Sequence, residues 1–302
     1  MKNNYISFIV PCFNSENTIQ ICISSILNQS EYNGAEIIIV DDGSTDKTLK
    51  MIDQYKNHER VFIKTHSHNM GLAQARNTGI NNANGDILAF IDSDMELENN
   101  WLKKVRENFN HKHVVGVMGQ YTYPKNIVLN QLDKYLYSSL RGAKKKYKNG
   151  DNIHFKYFLF SNTAVRRDVF DSIVGFDNQF KKYGGEDTDL AIRLYELYPK
   201  GLYYFSDLIS YHHGKKELND YCNDMKIYGS TNLHILINKH PQHTNHLFGG
   251  WLTSVYGYLM FNPLIMFLVN YILMFIDIKI LIKYKIAYNV VRGYRLNLKK
   301  KK

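Results

Sequence analysis

Between residues 5 and about 120, short apolar runs alternate with segments of helical periodicity, and no other feature limits the fold as strongly. "YISFIV" leads to "NTIQICISSILNQ", "AEIIIV" to "DKTLKMIDQYKN", "VFIKT" to "LAQARNTGINNA" and "DILAFI" to "ELENNWLKKVRENFN"; "VVGVMG" follows. Strand–helix alternation with short connections predicts a mainly parallel sheet covered by helices on both faces. Ligands of such sheets bind beyond the carboxyl ends of the strands. Here those ends carry polar residues: "PCFN", "DDGS" and "DSD".

The later chain is less regular. Residues 121–160 include the basic run "RGAKKKYK" (141–148), read either as a solvated loop or as a loop meeting an anionic acceptor. The block 161–215 reads as a helix, a glycine-rich turn, a second helix from about 186 and a strand ending at two histidines. Residues 255–276 carry no formal charge and are long enough for a bilayer core, although Asn262, Pro263 and Asn270 interrupt them. The expected organisation is residues 1–245 as the main domain, with halves 1–120 and 121–245, and residues 246–302 as an apolar and basic helical tail.

Charge helps to exclude a function class. The chain has a formal charge of +10, yet residues 277–302 hold nine basic residues against the single acid Asp277. That leaves +2 for the other 276 residues, so a nucleic-acid surface is not expected. The tail suits an interfacial helix at an anionic leaflet. Three cysteines at unrelated spacings, Cys12, Cys22 and Cys222, suggest a reducing compartment. The first residues lack a secretory apolar segment, so a cytoplasmic location at the inner face of the plasma membrane is expected.

Five clusters carry the chemistry. Asp41, at the end of "IIIV", can accept hydrogen bonds from a base edge or from ribose hydroxyls. Arg76, on the helix after Gly71, suits phosphate or a nucleobase carbonyl. Asp92 and Asp94 in "IDSDM" offer oxygen ligands for Mg²⁺ or Mn²⁺, which need only one or two carboxylates besides substrate phosphates. In "GGEDTDLAIRL", Glu186 or Asp187 could remove a proton from an acceptor hydroxyl. His212 or His213, at the end of "ISYHH", could complete a metal shell or bind phosphate.

The order and spacing of these motifs resemble the family 2 glycosyltransferases, inverting enzymes of the GT-A (Rossmann-like) fold that use nucleotide-diphosphate sugars. The resemblance spans about residues 5–240. It implies an α/β GT-A sheet flanked by helices, here with a C-terminal helical membrane-associating extension. It also implies Mn²⁺ or Mg²⁺ as cofactor, a UDP-sugar as the foremost donor, and a glycan or lipid-linked acceptor in surface polysaccharide or lipid-linked glycan synthesis. By that resemblance Pro11, Phe13, Asp41, Arg76, Asp92 and Ser93 would bind the nucleotide sugar. Asp94, Asp92 and His212 or His213 would hold the metal, and Asp187, with Glu186 second, would be the base. No Q-x-x-R-W motif is present, which argues against a processive multi-span synthase. The non-enzymatic alternative is an inactive nucleotide-binding or membrane scaffold module of the same fold.

Overall fold

The computed structural model describes residues 5–30, 32–125, 127–138 and 141–300. The last two lysines of the basic tail, Lys301 and Lys302, lie outside them. In chain order the elements are β1 (Ile6–Cys12), α1 (Ile19–Leu27), β2 (Ala35–Asp41), α2 (Thr48–Asp53), β3 (Val61–Thr65), α3 (Leu72–Asn82), β4 (Ile87–Ile91), β5 (Met95–Leu97), α4 (Trp101–Phe109) and β6 (Gly116–Thr122). They continue with α5 (Gln131–Leu136), β7 (Asp151–Asn152), β8 (Asn162–Arg166), α6 (Glu186–Leu197), β9 (Leu202–His212), α7 (Leu218–Ser230) and α8 (Asn232–Lys239). The last four are α9 (Gly249–Leu252), α10 (Val255–Met260), α11 (Pro263–Leu273) and α12 (Lys279–Lys300).

Two compact units result, one of residues 1–127, 142–178 and 186–214, the other of 128–141, 179–185 and 215–302. The first holds the sheet, in the order β3-β2-β1-β4-β8-β6-β9-β5 with β7 on β9. As expected, β3, β2, β1 and β4 run parallel. Strands β1, β2 and β4 are buried along their whole length, as befits aliphatic runs covered on both faces. The exposed edge strand β3 carries Lys64 outward, a charge that discourages further pairing.

Beyond β4 the sheet is mixed. The helix expected at the start of the 161–215 block is instead strand β8, antiparallel to β4 and β6, followed by a 3₁₀ turn over Arg167–Asp171. Thr163 and Val165 are β-branched and fully buried between two neighbouring strands, and that pairing outweighs local helical spacing. Under the sheet, Phe90, Phe160 and Phe176 pack edge to face at 5.1–5.5 Å between centroids. Trp101 packs on Phe8 and donates its indole N–H to Asn162 Oδ1 at 2.7 Å, so the one polar atom of this core ring is satisfied.

The second unit is helical. Leu132, Leu218, Cys222, Met266, Val269, Leu273, Ile282 and Tyr288 form its core. Helices α7 and α12 meet where a Cβ on Gly229 would lie 2.1 Å from the Val290 carbonyl and one on Gly293 2.1 Å from the Lys226 carbonyl. Two glycines therefore allow the backbones to touch. The apolar run 255–276 is broken into α10 and α11. Asn262 caps the new helix by accepting from the Leu264 and Ile265 amides, and Pro263 occupies its first position. Among the described residues no helix is long and apolar enough to cross a membrane. The residue pair 245/246, the expected domain boundary, falls inside this second unit.

Candidate active site

Every candidate site residue lies in the first unit; Arg76 sits on α3, and the others lie at or just past the carboxyl ends of strands or at the start of α6. Pro11 is buried in β1, and Phe13, immediately after it, is 44% exposed. Asp41 closes β2 and is buried. Its Oδ2 accepts the Ser44 amide at 3.3 Å, and its Oδ1 meets the Cys12 thiol at 4.0 Å, leaving acceptor capacity for a ligand N–H or O–H. Its neighbour Asp42 does something else. It accepts the Met70 and Gly71 amides at 2.9 Å and lies 2.7 Å from His66 Nδ1, fastening the loop after β3 to the end of β2.

The loops after β1, β2 and β4 are tied together. Asn14 Oδ1 accepts the Thr45 amide at 2.8 Å, and the Asn14 amide donates to Ser44 Oγ at 2.9 Å. Ser15 Oγ lies 2.9 Å from Ser93 Oγ. Sequence reasoning included Ser93 but missed Asn14 and Ser15; the turn chemistry of "FNSEN" is the signal that could have found them.

After β4 the chain turns at Asp92-Ser93-Asp94 and enters the short strand β5, which no sequence pattern indicated. Strand β5 pairs antiparallel with β9 so that Met95 faces His212, and the His213 amide donates to the Asp94 carbonyl at 2.8 Å. This register brings Asp94 Oδ2 to 3.1 Å from His212 Nε2, while His213 Nε2 reaches Glu96 Oε2 at 2.6 Å. Asp94 and His212 are thus brought together, and His213 is directed elsewhere. Burial pushes the Asp94 carboxyl up, but the hydrogen bond and charge of His212 outweigh it and hold the group below its ordinary value.

Asp92 turns away from Asp94 toward Arg76. The Arg76 guanidinium, 1% exposed, donates from Nη2 to Asp92 Oδ1 at 3.0 Å and to the Phe160 carbonyl at 3.4 Å. From Nη1 it donates to Asp187 Oδ1 and lies 3.6 Å from Glu186 Oε1, and the group stacks 5.1 Å from the Phe176 ring centre. The other Asp187 oxygen accepts the Phe160 amide at 3.1 Å. Arg76 is therefore a buried hub for three carboxylates, which short-range sequence patterns do not reveal.

One cation cannot neutralise three anions, and the carboxyl groups show it. Burial, reinforced by Asp187, pushes Glu186 up to about 8, and its Oε2 has no hydrogen-bond partner among the described residues. Burial also raises the more open Asp92, to about 6, against the opposing pull of Arg76. For Arg76 itself, burial lowers the pKa, but Asp187, Asp92 and Glu186 prevail and hold it above its ordinary value.

A divalent cation fits part of this arrangement. A Cβ on Gly214 would lie 2.4 Å from Asp94 Oδ2 and 2.9 Å from His212 Nε2, so the glycine keeps open the space beside both donors. Among the described residues no group of three or more His, Cys, Asp or Glu side chains is arranged to hold a metal ion. Two protein donors suit a hard cation that draws its remaining ligands from a diphosphate and water.

Comparison with known proteins agrees with this geometry. The model of the family "Glycosyl transferase family 2" matches residues 7–174, more than half of the chain. Chondroitin synthase of Pasteurella multocida is 24% identical over 232 residues, which is 67% of this chain and 24% of that protein. Glycosyltransferase GlyA of Streptococcus pneumoniae is 27% identical over 228 residues, covering 72% of this chain and 32% of the relative. The chain thus spans about a quarter to a third of the length of these two relatives. Among solved structures, mannosyltransferase PcManGT of Pyrobaculum calidifontis, in complex with GDP-Man and Mn²⁺, superposes with a TM-score of 0.66 at 18% identity, covering 99% of this chain and 88% of that one. TarS of S. aureus in complex with UDP-GlcNAc gives 0.56 at 17% identity, covering 98% and 91%. The fold is GT-A, and the chain belongs to glycosyl transferase family 2.

Proposed function

We propose that the protein transfers a sugar from a nucleotide-diphosphate sugar, a UDP-sugar foremost, to a hydroxyl of a glycan or lipid-linked acceptor in surface polysaccharide or lipid-linked glycan synthesis. The observation that carries this reading is the convergence of Asp94 and His212 beside the Gly214 gap. On the same unit are the acceptor-capable Asp41 and the carboxylate Asp187. The UDP-GlcNAc and GDP-Man complexes of the structural neighbours support a nucleotide-sugar donor without deciding its base.

Asp41 receives the N–H edge or ribose hydroxyls of the nucleotide, with Phe13 exposed beside β1 to stack on its base. Asp94 and His212 hold Mn²⁺ or Mg²⁺, which when bound supplies Lewis-acid neutralisation of the diphosphate. Asp187 accepts the acceptor hydroxyl proton as that oxygen bonds to the anomeric carbon from the face opposite the diphosphate. The anomeric C–O bond breaks with its electron pair leaving on the nucleoside diphosphate, and the configuration inverts. Arg76 and the Phe160 amide fix the orientation of Asp187.

The same two contacts favour the second reading, an inactive nucleotide-binding module, because both Asp187 oxygens are already engaged. Titration with UDP-, GDP- and dTDP-sugars, with and without Mn²⁺, separates the readings when combined with a hydrolysis or transfer assay. Asp94→Ala abolishes metal-dependent donor binding. Asp187→Asn keeps donor binding and lowers transfer by roughly 100-fold or more. Binding of the wild-type protein that is indifferent to Mn²⁺ removes the metal assignment, and metal-dependent binding without any turnover supports the inactive module.

A further inference from the structure

The second unit carries an apolar surface that its own core does not use. On α11, Met266, Val269 and Leu273 enter the core, while Leu264, Phe267, Leu268 and Tyr271 face outward and Phe275 follows them at the same helical spacing. Leu264 is 71%, Phe267 67% and Phe275 69% exposed. Helix α10 adds Tyr256, 77% exposed, and Leu259, 64% exposed. A contiguous face of this kind exceeds the isolated apolar residues of ordinary protein surfaces.

The surrounding charge is mostly basic. Nothing from 255 to 276 is charged, and Lys279 and Lys283 then stand exposed one turn apart on α12, with Arg292 exposed further along. The nearby acid Asp277 is paired with Lys134 at 2.7 Å and bonded by Gln131 at 2.8 Å. Tyrosines at 256, 258 and 271 and Trp251 are all exposed, and such rings favour the boundary between acyl chains and water.

We infer that α10, α11 and the exposed basic residues of α12 form a docking surface for an anionic lipid bilayer, lying in one leaflet rather than crossing it. An 11-residue helix is about 16 Å long, roughly half of a bilayer core, so α11 lies in the interfacial plane with its outward face among the acyl chains. The basic residues meet the anionic headgroups. A second copy of the chain is a poorer occupant, because face-to-face pairing brings together two tails of formal charge +8.

Flotation of the full chain with phosphatidylcholine vesicles, alone or mixed with phosphatidylglycerol, tests this. The protein floats with the anionic vesicles. Combined Leu264→Gln, Phe267→Gln and Tyr271→Gln weakens partitioning by more than about 100-fold. Combined Lys279→Gln and Lys283→Gln weakens it about 30-fold in low salt, at about 1 kcal/mol for each basic side chain. A Phe267→Trp variant, which needs no loss of apolar surface, shows blue-shifted emission that brominated acyl chains quench. Failure of the full chain to float with anionic vesicles, or an unquenched indole at 267, overturns the inference. So does a salt-stable dimer that the triple variant dissolves, since the face then joins copies of the chain. None of these residues belongs to the candidate active site, so the outcome is independent of nucleotide-sugar binding.

Discussion

Replacing Arg76 by methionine keeps most of the side-chain volume and removes the charge, so it isolates what the guanidinium does. Arg76 lies within hydrogen-bonding distance of Asp187 and Asp92 and 3.6 Å from Glu186. Unit charges about 4 Å apart attract by about 4 kcal/mol at an effective dielectric near 20. The cost of burying the guanidinium offsets much of that in the native protein, but removing one partner leaves the others uncompensated, typically at about 3–5 kcal/mol. The sign with pH is defined. Asp92, at about 6, and Glu186, at about 8, already sit above ordinary carboxylate values, and losing the cation raises both further. Groups raised by folding stabilise below their unfolded pKa and lose that contribution as pH rises through the folded one. The variant is therefore penalised by about 3–5 kcal/mol at pH 8 and by much less at pH 5, where protons replace the missing charge. Urea unfolding followed by Trp101 fluorescence in a Trp251→Phe background reads this, because Trp101 is buried in the sheet-bearing unit. A destabilisation below about 1 kcal/mol at pH 8, or an equal one at both pH values, refutes the hub.

Glu186→Gln removes a carboxyl raised from 4.5 to about 8, so the stability that the wild type loses between those pH values is retained in the variant; urea midpoints from pH 5 to 9 show a flatter profile. Gly214→Ala places a methyl 2.4 Å from Asp94 Oδ2 and weakens Mn²⁺-dependent donor binding by roughly tenfold or more, while metal-independent binding changes little; calorimetric titration with and without Mn²⁺ measures both.

The parallel half of the sheet was legible because β1, β2 and β4 are uninterrupted aliphatic runs followed by polar turns, and each lies fully buried beside a parallel strand. Strand β8 was misread as helix, since its identity rests on ladder bonds to β4 and β6, from segments about 75 and 46 residues earlier, rather than on local pattern. The acids of the site were visible as residue types in turns, but their partners were not. Arg76 contacts Asp187 across 111 positions, and Asp92 and Asp94 diverge because the turn hands one to α3 and the other to β9. The break at Asn262-Pro263 was visible too, and the structure explains it as a helix cap.

The pairing of β5 with β9 has a consequence for the two adjacent histidines. They are chemically identical, and successive side chains of a strand point to opposite faces, so a slip of one residue brings His213 into the place of His212. What distinguishes His212 from His213 is strand alignment: Met95 opposite His212, and the His213 amide on the Asp94 carbonyl. Inserting a single residue into 95–97 would hand the Asp94 contact to the neighbouring imidazole without altering any functional group. The three-residue strand thus acts as a vernier that chooses between two equivalent rings.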